Sequence, residues 1–527
     1  MNSRRSLSAS LALASVSFGL FVAGCHTQAP ASPTMPQAPA AEAPKEQPLE
    51  PAREAPPEAG PAHETPFPKI EHQELPSGLG LDVLQARTLP IVQIRVLVRS
   101  GNAADGDATG LANMTAKMLK EGGAGRYSSK DLLTKIETLG ADLGVEVSPD
   151  STILSLAVAK TRFDEAIDLL GTVVREPRWD EQEFGKLKKR QVQKVADKAK
   201  SSGQWTATML LWRELYRLPT GLHPYASYDA VPSELGKITT QKCKDFYRKN
   251  FTPKNTEIVI GGDIDVETSK KGVLRAFGSW KGGEAPEAAF AEATPPERLK
   301  ILLADRPKSA QSDIYVGALG PSRKDDGWTS VKVANQILGG GVSGRLFLDV
   351  REKRSLAYNT RSSIGELAHG PVPVTAYAGT QTAKTGLAVQ ALLDNLKRIA
   401  SEPASDEELN TARRYLADIF AVRMETIGSV TDMAVSLRAL GLPDDYYDAY
   451  RKEIREVKAE GAQKAIAEHV REGHAVIAVA GDAERIGPVL SHFGEVIVYN
   501  PEKEFERVRT IPANPSAPIE LDRQSGQ

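Results

Sequence analysis

The sequence predicts an α+β fold built from two copies of one domain. Three observations carry that prediction. Past about residue 70, β-type apolar runs alternate with amphipathic helices. Matching segments recur about 219 residues apart. The chain has 527 residues, 41% hydrophobic and 25% charged, which is globular composition but too long for one ordinary core.

In the first copy, Ile91–Val98 (IVQIRVLV) reads as a strand. Gly110–Glu121 reads as a helix with Leu111, Met114, Met118 and Leu119 on one side. Lys130–Leu139 is a second helix, Thr152–Ala159 a strand, and Phe163–Val174 a helix with Phe163, Ile167 and Leu170 at helical spacing. Asp180 to about Lys200 is a long basic helix, and Thr256–Gly261 a closing strand. The order then repeats. TEIVIGGDIDVE (Thr256–Glu267) has a partner in HAVIAVAGDAERI (His474–Ile486), which puts Asp263 and Asp482 219 residues apart. Gly101 and Gly320 end matching strands at the same offset, and Thr161–Val174 matches Thr382–Leu396. A period this long indicates a domain duplication; solenoid repeats run roughly 20–50 residues. The expected organisation is a signal segment at 1–24, a tether at 25–68, domains at 69–281 and 299–502 joined by a hinge at 282–298, and a tail at 503–527.

The first 25 residues are a targeting segment. Arg4 and Arg5 precede an apolar stretch from Leu11 to Val22, too short to span a bilayer and suited to a signal peptide. Val22-Ala23-Gly24-Cys25 resembles a bacterial lipobox, with Val where Leu is commoner. The resemblance implies cleavage before Cys25, lipidation of Cys25 and anchoring by acyl chains. His26 in place of Asp implies the outer membrane, with the body facing the periplasm. From His26 to Pro68 come 12 of the 34 prolines and six glutamates without apolar periodicity, as in a stiff, extended spacer.

Charge and cysteine content exclude several functions. Lys plus Arg is 66 and Asp plus Glu 68, a formal charge of −2, so nucleic acid is not an expected partner. The two cysteines, Cys25 and Cys243, rule out a disulfide framework or a cysteine-rich zinc module.

Three runs carry a family resemblance: GLANMTAKMLKEGG (Gly110–Gly123), GLHPYASYDAVPSELGKITTQKCKDFYRKNFTPKNTEIVIGGDID (Gly221–Asp265) and GGGVSGRLFLDVREKRSLAYNTRSS (Gly339–Ser363). They resemble the pitrilysin/insulinase family of zinc peptidases, in the short bacterial branch related to the processing peptidases. The resemblance spans nearly all of residues 70–500. It implies two homologous domains, each a mostly antiparallel sheet with helices, forming a clamshell around a peptide chamber.

The family's chemistry needs a His-x-x-Glu-His helix. Two histidines at i and i+4 bind zinc, the glutamate is the general base, and a glutamate on a later helix completes the ligand set. In GLANMTAKM those positions are Asn113, Ala116 and Lys117. Ala116 has no proton acceptor, and Lys117 puts an ammonium where a dication should sit. The later helix, LKKRQVQKVADKAK (Leu187–Lys200), has no glutamate. No metal or other cofactor is therefore expected in this chain. His469 and His474 mimic a zinc motif, but at i and i+5 they diverge by about 140° on a helix, and Gly473 reads as a helix stop. Gly339-Gly340-Gly341 lacks the following Gly-Lys-Ser/Thr of a phosphate loop and reads as a turn before a helix at Ser343–Arg354.

What the second domain keeps is Arg351 and Tyr358, a pair that in this family faces the zinc across the chamber. Arginine is a permanent planar cation and tyrosine a hydroxyl donor. Together they suit a substrate main chain and a growing oxyanion. Absent zinc ligands beside a present Arg/Tyr pair imply a non-catalytic subunit of a lipid-anchored peptidase heterodimer. Its expected partners are a related zinc-motif subunit, which would carry the zinc, a peptide substrate and the membrane. Gly339–Gly341 lies near the chamber in the family and would gate peptide entry. Two alternatives stand beside this one: an envelope scaffold that kept the fold without proteolysis, and an atypical autonomous metallopeptidase.

Overall fold

The apolar runs form the central strands of two sheets. The computed structural model describes residues 65–219, 221–284, 290–470 and 472–521; the signal segment, Cys25 and the tether up to residue 64 lie outside them. The first sheet contains β1 (Glu71–Glu74), β2 (Gly80–Gln85), β3 (Ile91–Val98), β4 (Gly144–Val147), β5 (Thr152–Ala159) and β6 (Thr256–Gly262), in the order β1-β2-β6-β3-β5-β4. The second contains β7 (Lys300–Asp305), β8 (Gln311–Ser322), β9 (Ala357–Ile364), β10 (Pro371–Gln381), β11 (Val476–Gly481), β12 (Val496–Asn500) and β13 (Glu506–Ile511), in the order β13-β12-β7-β11-β8-β10-β9.

The duplication is visible in the pairing. Strands β2-β6-β3-β5-β4 correspond to β7-β11-β8-β10-β9. The first pair in each set is parallel and the others antiparallel. The copies differ at one edge, where β1 closes the first sheet and β12 and β13 extend the second. The tail therefore does not stand outside the second domain, since Glu506–Ile511 is its edge strand. The side chains of β13 are mostly exposed, so no apolar alternation marks it in the sequence.

Every residue of β6 and β11 is buried, because both faces of each sheet are covered. On the first sheet, Val92, Ile94 and Val96 pack with Phe163, Ile167 and Leu170 of the helix Phe163–Arg175. The opposite face presents Leu84, Leu97 and Val259 to Val430, Val435 and Leu437 of the helix Ile427–Leu440, which belongs to the second copy. The exchange is mutual. The helix Gly203–Leu215, from the first copy, packs on β7, β8 and β11 of the second sheet. Glycines permit both approaches: a Cβ on Gly261 would lie 2.0 Å from the Thr431 hydroxyl, and one on Gly317 2.9 Å from Leu211. Ion pairs fix the first exchange, with Arg95 Nε 2.8 Å from Asp432 and Arg438 Nε 2.5 Å from Asp82.

The chain is already pinned before β1. Phe67 is buried, its ring 5.1 Å from that of Tyr447, and its amide donates to Asp448. Burying such a ring contributes roughly 2 kcal/mol. Within the 282–298 stretch, Phe290 stacks on His369 at 4.5 Å and lies 4.9 Å from Tyr225, so this linking segment touches both copies.

Candidate functional site

The helix Leu111–Glu121 starts at Gly110, whose φ of 90° suits glycine. The buried Asp105 carboxylate accepts hydrogen bonds from the Gly110 and Ala112 amides, each at 2.7 Å, and so caps the helix N-terminus. Burial pushes its carboxyl up to about 7, against the opposing pull of those amides. Leu111, Met114, Met118 and Leu119 face the core, as their spacing predicts.

The positions that correspond to the zinc motif turn two ways. Asn113 and Lys117, at i and i+4, line a cavity of about 510 Å³. Ala116 is fully buried. Across the cavity runs the helix Glu181–Ser201, N-capped by Asp180, which presents Gln191, Lys194 and Lys198 at helical spacing. The Lys117 ammonium donates to the Gln191 amide oxygen at 3.0 Å, and the Asn113 amide donates to Asn102 at 2.9 Å. Lys198 pairs with Asp229 at 2.8 Å, and the Trp205 indole donates to the same carboxylate at 3.0 Å. Burial, then repulsion from Lys194, holds Lys117 below the ordinary lysine range.

These residues do not fit a zinc ion. They offer no imidazole, no carboxylate at the base position, and a cation at a ligand position. Gln191 is the residue that sequence reasoning missed. An amide on a lysine-rich helix carries no metal signal, and only the fold sets it against Lys117.

The second copy is arranged differently. The helix Trp328–Gly339 ends in the glycine run: Gly339 is buried, Gly340 is partly covered, and Gly341 and Val342 are exposed. A Cβ on Gly339 would lie 2.7 Å from the Ser362 amide nitrogen, so that position has no room for a side chain. In place of the regular helix expected at Ser343–Arg354, Phe347–Lys353 winds as a π-helical turn, a form often found at functional sites. Its entrance is anchored by buried Arg345, which donates to both oxygens of Glu408 at 2.7 and 2.9 Å. Arg354 pairs with Asp349 at 3.0 Å.

Among the described residues, Arg351 has only Glu352 as an acid within 4 Å, at 3.5 Å. Its guanidinium lies 4.7 Å from the Phe347 ring centre and 5.4 Å from that of Tyr358. Tyr358 is 86% exposed on β9, the edge strand of the second sheet. The structure thus brings Arg351 and Tyr358 together, but they do not line the cavity that holds Asn113 and Lys117. From the second copy, Gly365, Glu366 and Leu367 do.

Among the described residues, His223 and His474 have local partners. His223 is buried, accepts from the Tyr225 amide at 3.1 Å and stacks on Tyr216, and burial lowers its pKa. The helix Ala459–His469 ends before Gly473, and His474 Nδ1 lies 2.7 Å from the Pro296 carbonyl, so the i, i+5 pair is not on one helix. Cys243 is a free, buried thiol pushed up to about 11 by burial.

Comparison with known proteins places both copies in one family. A model of the insulinase family (peptidase family M16) matches residues 83–224, and a model of the peptidase M16 inactive domain matches 237–416. The chain is similar to a non-peptidase homolog of Helicobacter pylori, 24% identical over 404 residues, covering 75% of this chain and 90% of the relative. It is also similar to an uncharacterized zinc protease of Streptomyces coelicolor, 24% identical over 375 residues, covering 68% and 78%. Among solved structures, a peptidase M16 inactive domain from Pseudomonas fluorescens superposes with a TM-score of 0.72 at 24% identity, covering 78% of this chain and 98% of that one. A Helicobacter pylori protease superposes with a TM-score of 0.70 at 16% identity.

Proposed function

The chain belongs to the insulinase family (peptidase family M16), and from that premise we propose that it is the non-catalytic subunit of a cell-envelope peptidase heterodimer. An inactive family member fits a non-catalytic role, and the heterodimer and the envelope location are our reading. One observation carries it. Arg351 lies over the ring of the exposed Tyr358, its guanidinium 5.4 Å from the ring centre, while Lys117 and Gln191 hydrogen-bond to each other where zinc chemistry would need ligands. A family member that had drifted from all peptide chemistry would have no need to keep an arginine held over an exposed tyrosine, with only a long 3.5 Å contact to Glu352 among the described residues. In this reading the partner subunit carries the zinc. Arg351 and Tyr358 hold the peptide main chain and stabilise the developing oxyanion in the partner's site. The exposed turn at Gly341 gates entry, and acylated Cys25 ties the pair to the outer membrane.

The test is reconstitution with a purified zinc-motif relative from the same cell. The expected result is peptide hydrolysis by the mixture, well above that of either chain alone and abolished by chelator. A mixture no more active than the relative alone contradicts the proposal. A second reading, an envelope scaffold without proteolysis, is favoured by the Helicobacter relative's designation as a non-peptidase homolog. It predicts a stable complex with no gain in hydrolysis.

A further inference from the structure

Away from both of these regions, three ligand-type side chains meet on the first sheet. His72 on β1 lies directly opposite Asp82 on β2, and Glu257 on the neighbouring β6 lies opposite Gly80. One atom of each, from the imidazole and the two carboxylates, falls within 4.8 Å of the other two. His72 Nδ1 is 2.8 Å from Asp82 Oδ1 and 3.8 Å from Glu257 Oε1.

The carboxylates are built into the fold. Asp82 is fully buried and Glu257 is 4% exposed. Each turns one oxygen to an arginine: Arg438 donates to Asp82 Oδ2 at 2.5 Å, and Arg99 donates to Glu257 Oε2 at 2.9 Å. The other oxygen of each faces His72. Glu257 Oε1 is buried there without a hydrogen-bond partner among the described residues. Gly80 leaves it room, since a Cβ at that position would lie 2.2 Å from it. A buried carboxylate oxygen with no donor is costly to leave unpaired. Burial and the adjacent Asp82 push the Glu257 carboxyl upward, as expected of two acids sharing one point.

We propose that His72, Asp82 and Glu257 form a divalent-metal site of the zinc type, closed by solvent at the remaining positions. One imidazole with two carboxylates suits zinc and its first-row neighbours. Bonds of about 2.0–2.2 Å to nitrogen and oxygen place tetrahedral ligand atoms roughly 3.3–3.6 Å apart, between the 2.8 Å of the His72–Asp82 hydrogen bond, which a metal would replace, and the 3.8 Å from His72 to Glu257. The arginines act as outer partners that orient the carboxylates. His72 is half exposed and provides the way in. The site departs from the expectation that this chain carries no metal, and it lies on different elements from the helix Leu111–Glu121. Its role is structural. Arg438 comes from the exchanged helix Ile427–Leu440, so a metal held here joins the start of the first sheet to the second copy.

The test is calorimetric titration of the chelator-treated full-length chain with zinc chloride, followed by thermal melting. The expected result is one equivalent bound, a zinc-dependent rise in melting temperature, and affinity lowered at least about tenfold in both His72→Ala and Glu257→Gln. His72 is half exposed and Gln keeps the shape of Glu257, so both variants should fold, and circular dichroism checks that they do. Absence of stoichiometric binding overturns the proposal. So does binding that both variants retain, or that is lost in His474→Ala instead.

Discussion

The helix Leu111–Glu121, which lacks the zinc-motif residues, and the turn Phe347–Lys353, which carries Arg351, are treated by the fold in opposite ways. In the first, every polar group at the corresponding catalytic positions has found a partner within the chain: Lys117 on Gln191, Asn113 on Asn102. In the second, the flanking arginines, Arg345 and Arg354, are paired with acids at 3.0 Å or less, and Arg351, with Glu352 at 3.5 Å, lies against the rings of Phe347 and the exposed Tyr358. A site that has lost its chemistry fills in, because buried polar groups must be satisfied. A site whose ligand comes from outside stays open.

That contrast can be broken or sharpened by substitution. The largest effect is expected from Arg351→Ala, which should lower kcat/KM of the reconstituted pair by about 10²–10³-fold while leaving the melting temperature of this chain unchanged. Unchanged activity would reduce the open site to a remnant. Ala116→Glu should act the other way, on stability alone. It puts a carboxylate at a fully buried position without a donor and should cost about 2 kcal/mol or more in urea unfolding, with no gain of zinc binding at that helix. Tyr358→Phe removes one hydroxyl from an exposed ring and should lower the pair's activity about tenfold, again without a change in melting. The smallest effect is expected from Lys117→Met, which removes a partly desolvated ammonium and should raise stability by no more than about 1 kcal/mol.

A pH titration separates the two regions further. Asp105 caps the first helix with its carboxyl pushed up from the usual 3.8 to about 7. Between those values the folded chain holds a proton that the unfolded chain has released. Stability should therefore fall as pH rises through about 4 to 7. Asp105→Asn keeps an acceptor for the cap and should flatten that slope, as read from urea midpoints across the range.

Much of the frame was legible in the sequence, and the reasons are physical. Ile91–Val98 and Thr152–Ala159 become β3 and β5 with the bounds read from their apolar pattern, because that pattern is the burial itself. The 219-residue repeat reports the duplicated strand order, since matching strands occupy matching places in the two sheets. The helix exchange was not legible. Gly203–Leu215 and Ile427–Leu440 bury an apolar side as any helix does, and nothing in their residues says which sheet receives it. The β13 strand was hidden by its exposure. Of the site, the losses at Asn113, Ala116 and Lys117 could be read because the motif fixes their spacing. Gln191 and the His72, Asp82 and Glu257 cluster could not, because only tertiary pairing brings them together.

The account's central claim is that this chain serves a zinc-bearing partner. It is tested most directly by capturing the detergent-solubilised full-length chain from its native membrane and assaying peptide hydrolysis with and without chelator. The account predicts a co-purifying relative with an intact His-x-x-Glu-His motif and activity that the chelator removes. Capture of the chain without such a relative and without activity would contradict it.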